Sequence, residues 1–505
     1  MPQGAMPFQY EEERKGSGMT ALAGLPLYLE LAQMAGLPDV IRKQVQVAGS
    51  QGWDDVQMVM SLVLLQLAGG DAIDDLRILE ADAGFATMLR RLEGYRQTRR
   101  QRRAAARRWR KQRTRAVPSP SATSRYLEAF HDPEQEMAKA GRATIPAPTA
   151  GVLALLQVNR ALVAWIQRCR PQQVATLDMD ATLIESHKRQ ALWCYEHYRA
   201  FQPLTSYWSE QAVALHTEFR DGNVPAGHEQ LRVLLEAIAL LPPGVKQVRH
   251  RSDTAGYQQE LLRYCAEGQH PRFGVIEFAV GVDVTPAFKA AVAEVAPEDW
   301  KPLQRSVDGK RSVTGQEWAE VCFVPEWVGR GKDGPVYRFL ATREVVAQRP
   351  LPGLEAEVQL PFPTITLQEQ QYKLHGVVTN LTWAGDAVIW WLRERCGKGE
   401  EVHKVFKQDL AGGVLPSGLF GANAAWWAIT MLAHNLHVAM QRVVLGPTWV
   451  GKRLKAMRFA LIGLPGRVIS HARSLIVRLS QGHPALAVFI EARGRLLALS
   501  RGSPA

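Results

Sequence analysis

Between Arg96 and Arg115 the chain carries eleven arginines and lysines in twenty positions and no acid. Such a run cannot enter a hydrophobic core, because taking each ion out of water costs several kcal/mol. It therefore divides the chain, and any core must be assembled from what lies on either side. Like charges this dense repel unless something anionic neutralises them. A second basic stretch, 410–505, holds eleven lysines and arginines against one acid, Glu491. The two stretches carry +11 and +10 of a net charge of +12, so the rest of the chain is mildly acidic. An acidic centre between two basic grips points to nucleic acid as the partner. No membrane is expected. The longest apolar stretch, Ala422–Leu445, is interrupted by Asn423, His434, Asn435, His437, Gln441 and Arg442. It reads as a buried amphipathic helix, not a span.

With 505 residues the chain has room for two to four domains. Its five cysteines (Cys169, Cys194, Cys265, Cys322 and Cys396) are dispersed and show no C-x-x-C spacing. A zinc site or disulfide framework is not expected, and a cytoplasmic location is. The N-terminus, with Glu11, Glu12 and Glu13, does not read as a signal peptide.

Residues 1–18 read as disordered and 19–150 as a helical DNA-binding region with the arginine-rich arm at 96–115. Within it, helices are expected over 53–68, opened by Asp54 and Asp55 and ended by Gly69-Gly70, and over 72–92. Residues 151–270 switch to an α/β pattern. Strands are expected at 174–183, 212–220 and 245–252, with helices at 228–241 and 256–266. Residues 271–385 are strand-rich, with strands expected at 273–282, 321–327, 336–342, 355–360 and 375–379. Helix returns over 386–445, and 446–505 reads as a basic helical tail broken by Gly463, Pro465 and Pro484.

Three places carry chemistry. In Thr176-Leu-Asp-Met-Asp-Ala-Thr182, Asp178 and Asp180 alternate along a strand and share one face. An acid in a β-run is costly to bury unless it is paired or binds a cation. In Arg249-His-Arg-Ser-Asp-Thr-Ala-Gly-Tyr257, Asp253 ends a strand, where ligand groups of α/β sheets commonly sit. It also suits a helix cap. In Glu400-Glu-Val-His-Lys-Val-Phe-Lys407, a helix would set Glu400, Lys404 and Lys407 on one face, as would an ordinary surface ladder. Two strand-borne aspartates and a helix-borne glutamate make a plausible two-metal constellation, with hard oxygen ligands suited to Mg²⁺ or Mn²⁺. His250, His403, His434 and His437 read as structural or solvated. Trp383, Trp390 and Trp391 could stack on a flipped base, but a core role is the stronger reading.

Over most of its length the sequence resembles the DDE transposases of bacterial insertion sequences, in the RNase H-like and retroviral-integrase superfamily. Asp180 followed by Ala-Thr is similar to the family's Asp-x-Thr motif. Asp253 with Gly256 and Tyr257 looks like the second-carboxylate motif. Glu400-Glu-x-His-Lys-x-x-Lys resembles the end of the Tyr-Arg-Glu-Lys signature. Leu415-Pro-Ser-Gly-x-Phe-Gly-Ala-Asn-Ala-Ala-Trp426 resembles the segment after it. Two positions depart from the pattern: Arg393 and Cys396 stand where the family has Tyr and Arg. Glu401 therefore rivals Glu400, and Asp178 rivals Asp180.

The resemblance implies an RNase H-like catalytic core with helical N- and C-terminal regions. It implies that Asp180, Asp253 and Glu400 are catalytic and hold two Mg²⁺ or Mn²⁺ ions. Lys404, Lys407, Arg395 and Lys398 would meet DNA phosphates, as would Arg99, Arg100, Arg102 and Arg103 of the arm. The expected activity is strand cleavage at terminal inverted repeats and strand transfer into target double-stranded DNA, by a homodimer associated with the bacterial nucleoid. Cut-and-paste members carry a β-rich insertion between the second and third carboxylates, and 271–385 falls there. It is expected to be a separate β unit with its ends close together, whose removal leaves a folded core. A structure-selective nuclease on the same fold and a non-catalytic DNA-binding descendant remain the rival readings.

Overall fold

The computed structural model describes residues 18–47, 52–93, 98–100, 115–139, 143–307, 310–325, 337–346, 360–471 and 474–502. Arg102, Arg103, residues 1–17 and nearly all of the strand expected at 355–360 fall outside them.

The first long helix, α1 (Asp55–Ala68), starts and stops where the sequence marks it. The Asp54 carboxylate accepts from the Gln57 N–H at 2.8 Å, and the Gln57 side chain accepts from the Asp54 N–H at 3.2 Å. This reciprocal box satisfies two N–H groups that the helix itself cannot. Gly69, at φ 101°, ends it. The single helix expected over 72–92 is instead three pieces, Ile73–Asp75, Leu76–Ala81 and Ala83–Glu93. Asp82 makes the break. Its carboxylate accepts from the Phe85 N–H, the Ala21 N–H and the Thr20 hydroxyl, a local alternative to the helix ladder.

Helix α2 (Ala150–Cys169) leads into β1 (Val174–Ala181). Next come β2 (Leu204–Trp208) and β3 (Val213–Glu218), then α3 (Gln230–Ala239), β4 (Gln247–Ser252), α4 (Gln259–Ala266) and β5 (Glu277–Val282). Ala175 to Met179 are all buried, as befits a strand covered on both faces. β1 pairs with β4 and β4 with β5 in parallel, while β2 and β3 continue from β1 antiparallel. Parallel neighbours need crossovers, and α3 and α4 lie in these connections. The expected mixed α/β class holds.

The separate β unit does not. Strands β6 (Lys301–Val307), β7 (Lys310–Val321), β8 (Arg338–Val345), β9 (Thr364–Leu367) and β10 (Gln370–Thr379) extend the same sheet. The order is β6-β7-β8-β10-β5-β4-β1-β2-β3, with β9 also on β10. The physical reason is the edge of β5. β10 covers it antiparallel, with Ala279 opposite Thr379 and Val282 opposite Gly376. β5, the first strand of the supposed insertion, is also a parallel strand of the core, so a boundary at 271 cuts the core. The ends of the strand-rich region do lie side by side, as expected.

Helix α5 (Gly385–Lys404) packs on this sheet over a second apolar cluster, which joins Ala279, Leu303, Trp318, Leu340 and Val377 to Val388 and Ile389. Trp383, Trp390 and Trp391 pack against it, the core role favoured from sequence. Helix α6 (Phe420–Ala439) is buried at all twenty positions, so the expected amphipathic helix is instead covered on every side. Several of its polar groups are paired, though neither ring nitrogen of His434 has a hydrogen-bond partner. Asn435 donates to Asn159 at 2.6 Å and to the Ala214 carbonyl at 2.7 Å, and accepts from the Ala214 N–H at 2.9 Å. Trp427 donates to Thr217, and Thr430 accepts from Gln66. These bonds fasten α1, α2 and β3 to α6.

The C-terminal tail is not wholly helical. Arg467-Val-Ile-Ser and Ser474-Leu-Ile-Val are β-prone, and after Gly463 and Pro465 they form strands β11 (Gly466–His471) and β12 (Ser474–Arg478). β11 also pairs with Met19–Thr20, and α7 (Ala485–Gly502) follows. One continuous core runs from Ala23 to Leu496, so the expected terminal regions share it with the α/β centre.

Candidate active site

The parallel register of β1 and β4 sets Val174 opposite Gln247 and Asp178 opposite Arg251. Asp180 and Asp253 each follow two residues later, Asp180 near the C-terminal end of β1 and Asp253 just past the end of the adjacent β4. Helix α5 crosses these strands and carries Glu400 one turn before His403. The side chains of Glu400, Lys398 and Cys396 lie outside the described residues.

Asp180 is one-quarter exposed, and its Oδ2 faces an imidazole and a guanidinium from α5. His403 Nε2 lies at 3.3 Å and Arg395 Nη1 at 3.5 Å. Burial works to raise its pKa, but the His403 hydrogen bond and the charges of His403 and Arg395 outweigh this and hold the carboxyl below its ordinary value. His403, read from sequence as structural or solvated, therefore belongs to the site. Its only sequence signal is its place one turn after Glu400. Arg395, expected to meet DNA, is instead buried against Asp180.

Asp178 has a different task. Arg251 clamps it with two bonds, Nε to Oδ1 at 2.6 Å and Nη2 to Oδ2 at 2.8 Å, with both residues almost wholly buried. Arg251 Nη1 donates to the Trp391 carbonyl of α5 at 2.5 Å, and the guanidinium lies over the Trp391 ring. Burial pushes the Asp178 carboxyl pKa up, with Arg251 opposing. Asp178 thus ties β1, β4 and α5 together and has no open coordination side. Of the two rivals, Asp180 is the one left accessible.

Asp253 takes the expected capping role. Its Oδ1 caps the turn Thr254–Gly256 by accepting from the Ala255 N–H at 3.0 Å, directly after the end of β4. A Cβ at Gly256 would come within 2.6 Å of the Ser252 Cβ, so only glycine lets the chain turn this tightly there. Burial, and then the charge of Asp253, raise the pKa of the nearby Asp283.

The expected ladder of Glu400, Lys404 and Lys407 is interrupted. A π-helical turn, Val405–Asp409, follows α5 and shifts the phase of everything after Lys404. Lys404 and Glu401 are exposed. Lys407 is half-buried with its Nζ 3.4 Å from the Leu183 carbonyl. Burial lowers its pKa against the opposing charges of Asp180 and Glu196. Arg99 and Arg100 are exposed and helical.

Among the described residues, no group of three or more His, Cys, Asp or Glu side chains is gathered to hold a metal ion. The donor chemistry nonetheless fits a hard divalent cation. Asp180 is held ionised and part-exposed, and both it and Asp253 offer carboxylate oxygens near the ends of adjacent strands.

The profile of the family described as Transposase DDE domain group 1 matches residues 9–342 and 363–501. The unmatched stretch spans the connection from β8 to β9. No curated protein sequence matches the chain. Among solved structures, a piggyBac transposase synaptic complex with hairpin DNA, determined by cryo-electron microscopy, is similar with a TM-score of 0.42 and 9% identity. The similarity covers 87% of this chain and 79% of that one.

Proposed function

The chain belongs to the transposase DDE domain group 1 family, and from that premise we propose that it cleaves DNA strands at transposon ends and joins the freed ends to target DNA. The observation that supports the reading is the register of β1 and β4, which pairs Asp178 with Arg251 two residues before Asp180 and Asp253, below a helix whose sequence includes Glu400. Both steps are in-line displacements at phosphorus. In the first, a water oxygen bonds to phosphorus and the bond to the 3′-oxygen breaks. In the second, the freed 3′-hydroxyl bonds to a target phosphorus, the bond from that phosphorus to the target strand's 3′-oxygen breaks, and the departing 3′-oxygen takes up a proton. Two divalent cations held by Asp180, Asp253 and Glu400 would supply activation of the attacking oxygen and stabilisation of the leaving one.

His403 and Arg395 keep Asp180 ionised and fix its direction. The Asp178–Arg251 clamp holds α5 at its distance from the two strands. Lys407, at the edge of the site, and exposed Lys404 meet backbone phosphates as point charges. The cut-and-paste route rests on the family alone, since the strand-rich region is part of the core sheet. A homodimer acting on paired ends of double-stranded DNA belongs to the same proposal. So does a reducing cytoplasm, which the unpaired Cys169, Cys194, Cys265 and Cys322 suit. The experiment is strand cleavage, with Mg²⁺, of a plasmid bearing the element's own ends. Cleavage by the wild type and none by Asp180→Asn is expected; equal cleavage by both overturns the reading.

A further inference from the structure

A π turn is a rare departure from the α-helix, and the one that follows α5 is held from outside. Within it the Leu410 N–H donates to the Val405 carbonyl, five residues back, at 2.9 Å. The turn directs Lys407 to the site. Its Nζ lies 3.4 Å from the Leu183 carbonyl, just past the strand that carries Asp180, and the charge of Asp180 reaches it. An ordinary α turn in the same place would aim Lys407 elsewhere, because the side-chain direction follows the winding of the backbone.

The fastening comes from the basic C-terminal stretch. Arg458 opens a second π turn, Arg458–Ile462, and its Nη2 donates to the Asp409 carbonyl, the last of the turn after α5. The same guanidinium grips the end of α1, with Nε donating to the Leu67 carbonyl at 2.9 Å and Nη2 to the Gln66 carbonyl at 2.6 Å. It lies so close there that a Cβ at Gly69 would fall 3.2 Å from its Nε. One side chain thus serves the carbonyls of two helix ends, which lack partners of their own and favour a cation. Burial lowers the pKa of Arg458, and the charge of the Asp409 carboxylate opposes this. That carboxylate is itself buried, with neither oxygen hydrogen-bonded. On the other side of the turn, Trp426 of α6 donates to the carbonyl of Ala411, which takes a left-handed φ of 58°.

We propose that Arg458 is a positioning residue for strand cleavage: by tying the π turn to the end of α1, it keeps Lys407 beside the strand that carries Asp180. The proposal rests on the transposase reading and adds to it a residue that touches no DNA in the site. Lysine cannot take its place, since an ammonium is a point charge and the fork spans carbonyls on two elements.

The test is a double-mutant cycle between Arg458→Lys and Lys407→Ala in the full-length protein. The readout is the single-turnover cleavage rate with Mg²⁺ on a plasmid bearing the element's own ends, with melting temperature taken beside it. Arg458→Lys keeps a positive charge opposite Asp409 and loses the fork. Each single variant is expected to cleave about tenfold more slowly than the wild type, and the double variant no more slowly than Lys407→Ala alone, since residues that act through one another are not additive. A role independent of Lys407 would instead multiply the two losses to about a hundredfold. That multiplied loss, or full-rate cleavage by either single variant, overturns the positioning role while leaving the transposase reading intact. If Arg458→Lys does not fold, the charge-neutral pair Arg458→Gln with Asp409→Asn enters the same cycle with the same outcomes. Failure of the wild type to cleave overturns both.

Discussion

Asp178 and Asp180 sit two positions apart on one face of one strand, and their surroundings give them opposite tasks. Removing Asp178 leaves Arg251 charged and buried, a situation that costs about 3–5 kcal/mol. Asp178→Ala should therefore lower the urea midpoint strongly, whereas Asp180→Asn, at a part-exposed site, should shift it little; equal shifts would contradict the division. The sequence offered the pair and the alternation but not the choice, because the deciding partner, Arg251, lies 73 positions away in the chain. Three buried histidines give a second prediction. Burial first of all lowers the pKa of His250 to about 4, of His434 to about 4 and of His437 to about 3. The unfolded chain takes up their protons near pH 6.5, and the fold resists doing so. Their contribution to stability is therefore intact above about pH 6.5 and lost as pH falls towards 4, by up to about 1.4 kcal/mol per pH unit for each. Melting temperature should drop steeply across that window. His434→Phe, against Phe406 and Tyr207, should make the drop shallower; an unchanged slope would show that other groups govern it.

At the scale of elements, strands and helices with local signals were legible. The Asp54 box, Gly69 and the β4–α4 turn mark their own boundaries. What the sequence concealed was partnership. β2 and β6 were not expected, β7 was placed too late in the chain, and β10 gave no sign that it would add to β5. The π turn after Lys404 was likewise invisible, because no residue type in Val405–Asp409 marks it. The continuous sheet reverses one expectation. Deleting 300–381 would uncover the β5 edge and remove Leu303, Trp318, Leu340 and Val377 from beneath Val388 and Ile389. The truncated protein should therefore be insoluble or lack a cooperative melt, as read by circular dichroism. A soluble, cooperatively melting product would restore the view of this region as an independent unit.

Over the whole molecule, charge was the most legible property and the core the least. The basic run and the basic C-terminal stretch are plain in the sequence. That the helices near either terminus share one core with the central sheet is not, since it rests on long-range bonds such as Gln66 to Thr430 and Tyr28 to His437. The arginine run should supply affinity and little chemistry. Neutralising Arg99, Arg100, Arg102 and Arg103 should weaken DNA binding and flatten its salt dependence, by a slope of about 0.9 for each phosphate left without its cation. An unchanged slope would make the run a linker. The central claim is that Asp180, Asp253 and Glu400 cut DNA without being needed to hold it. The most direct measurement is a single-turnover cleavage rate with Mg²⁺ on the element's own ends, taken beside end-binding affinity for the same preparations. Asp180→Asn, Asp253→Asn and Glu400→Gln should each bind ends near normally and fail to cleave, while Glu401→Gln cleaves. A dead Glu401→Gln with an active Glu400→Gln would move the third carboxylate by one residue. Full cleavage by either aspartate variant, or cleavage by the wild type without a divalent cation, would contradict the account.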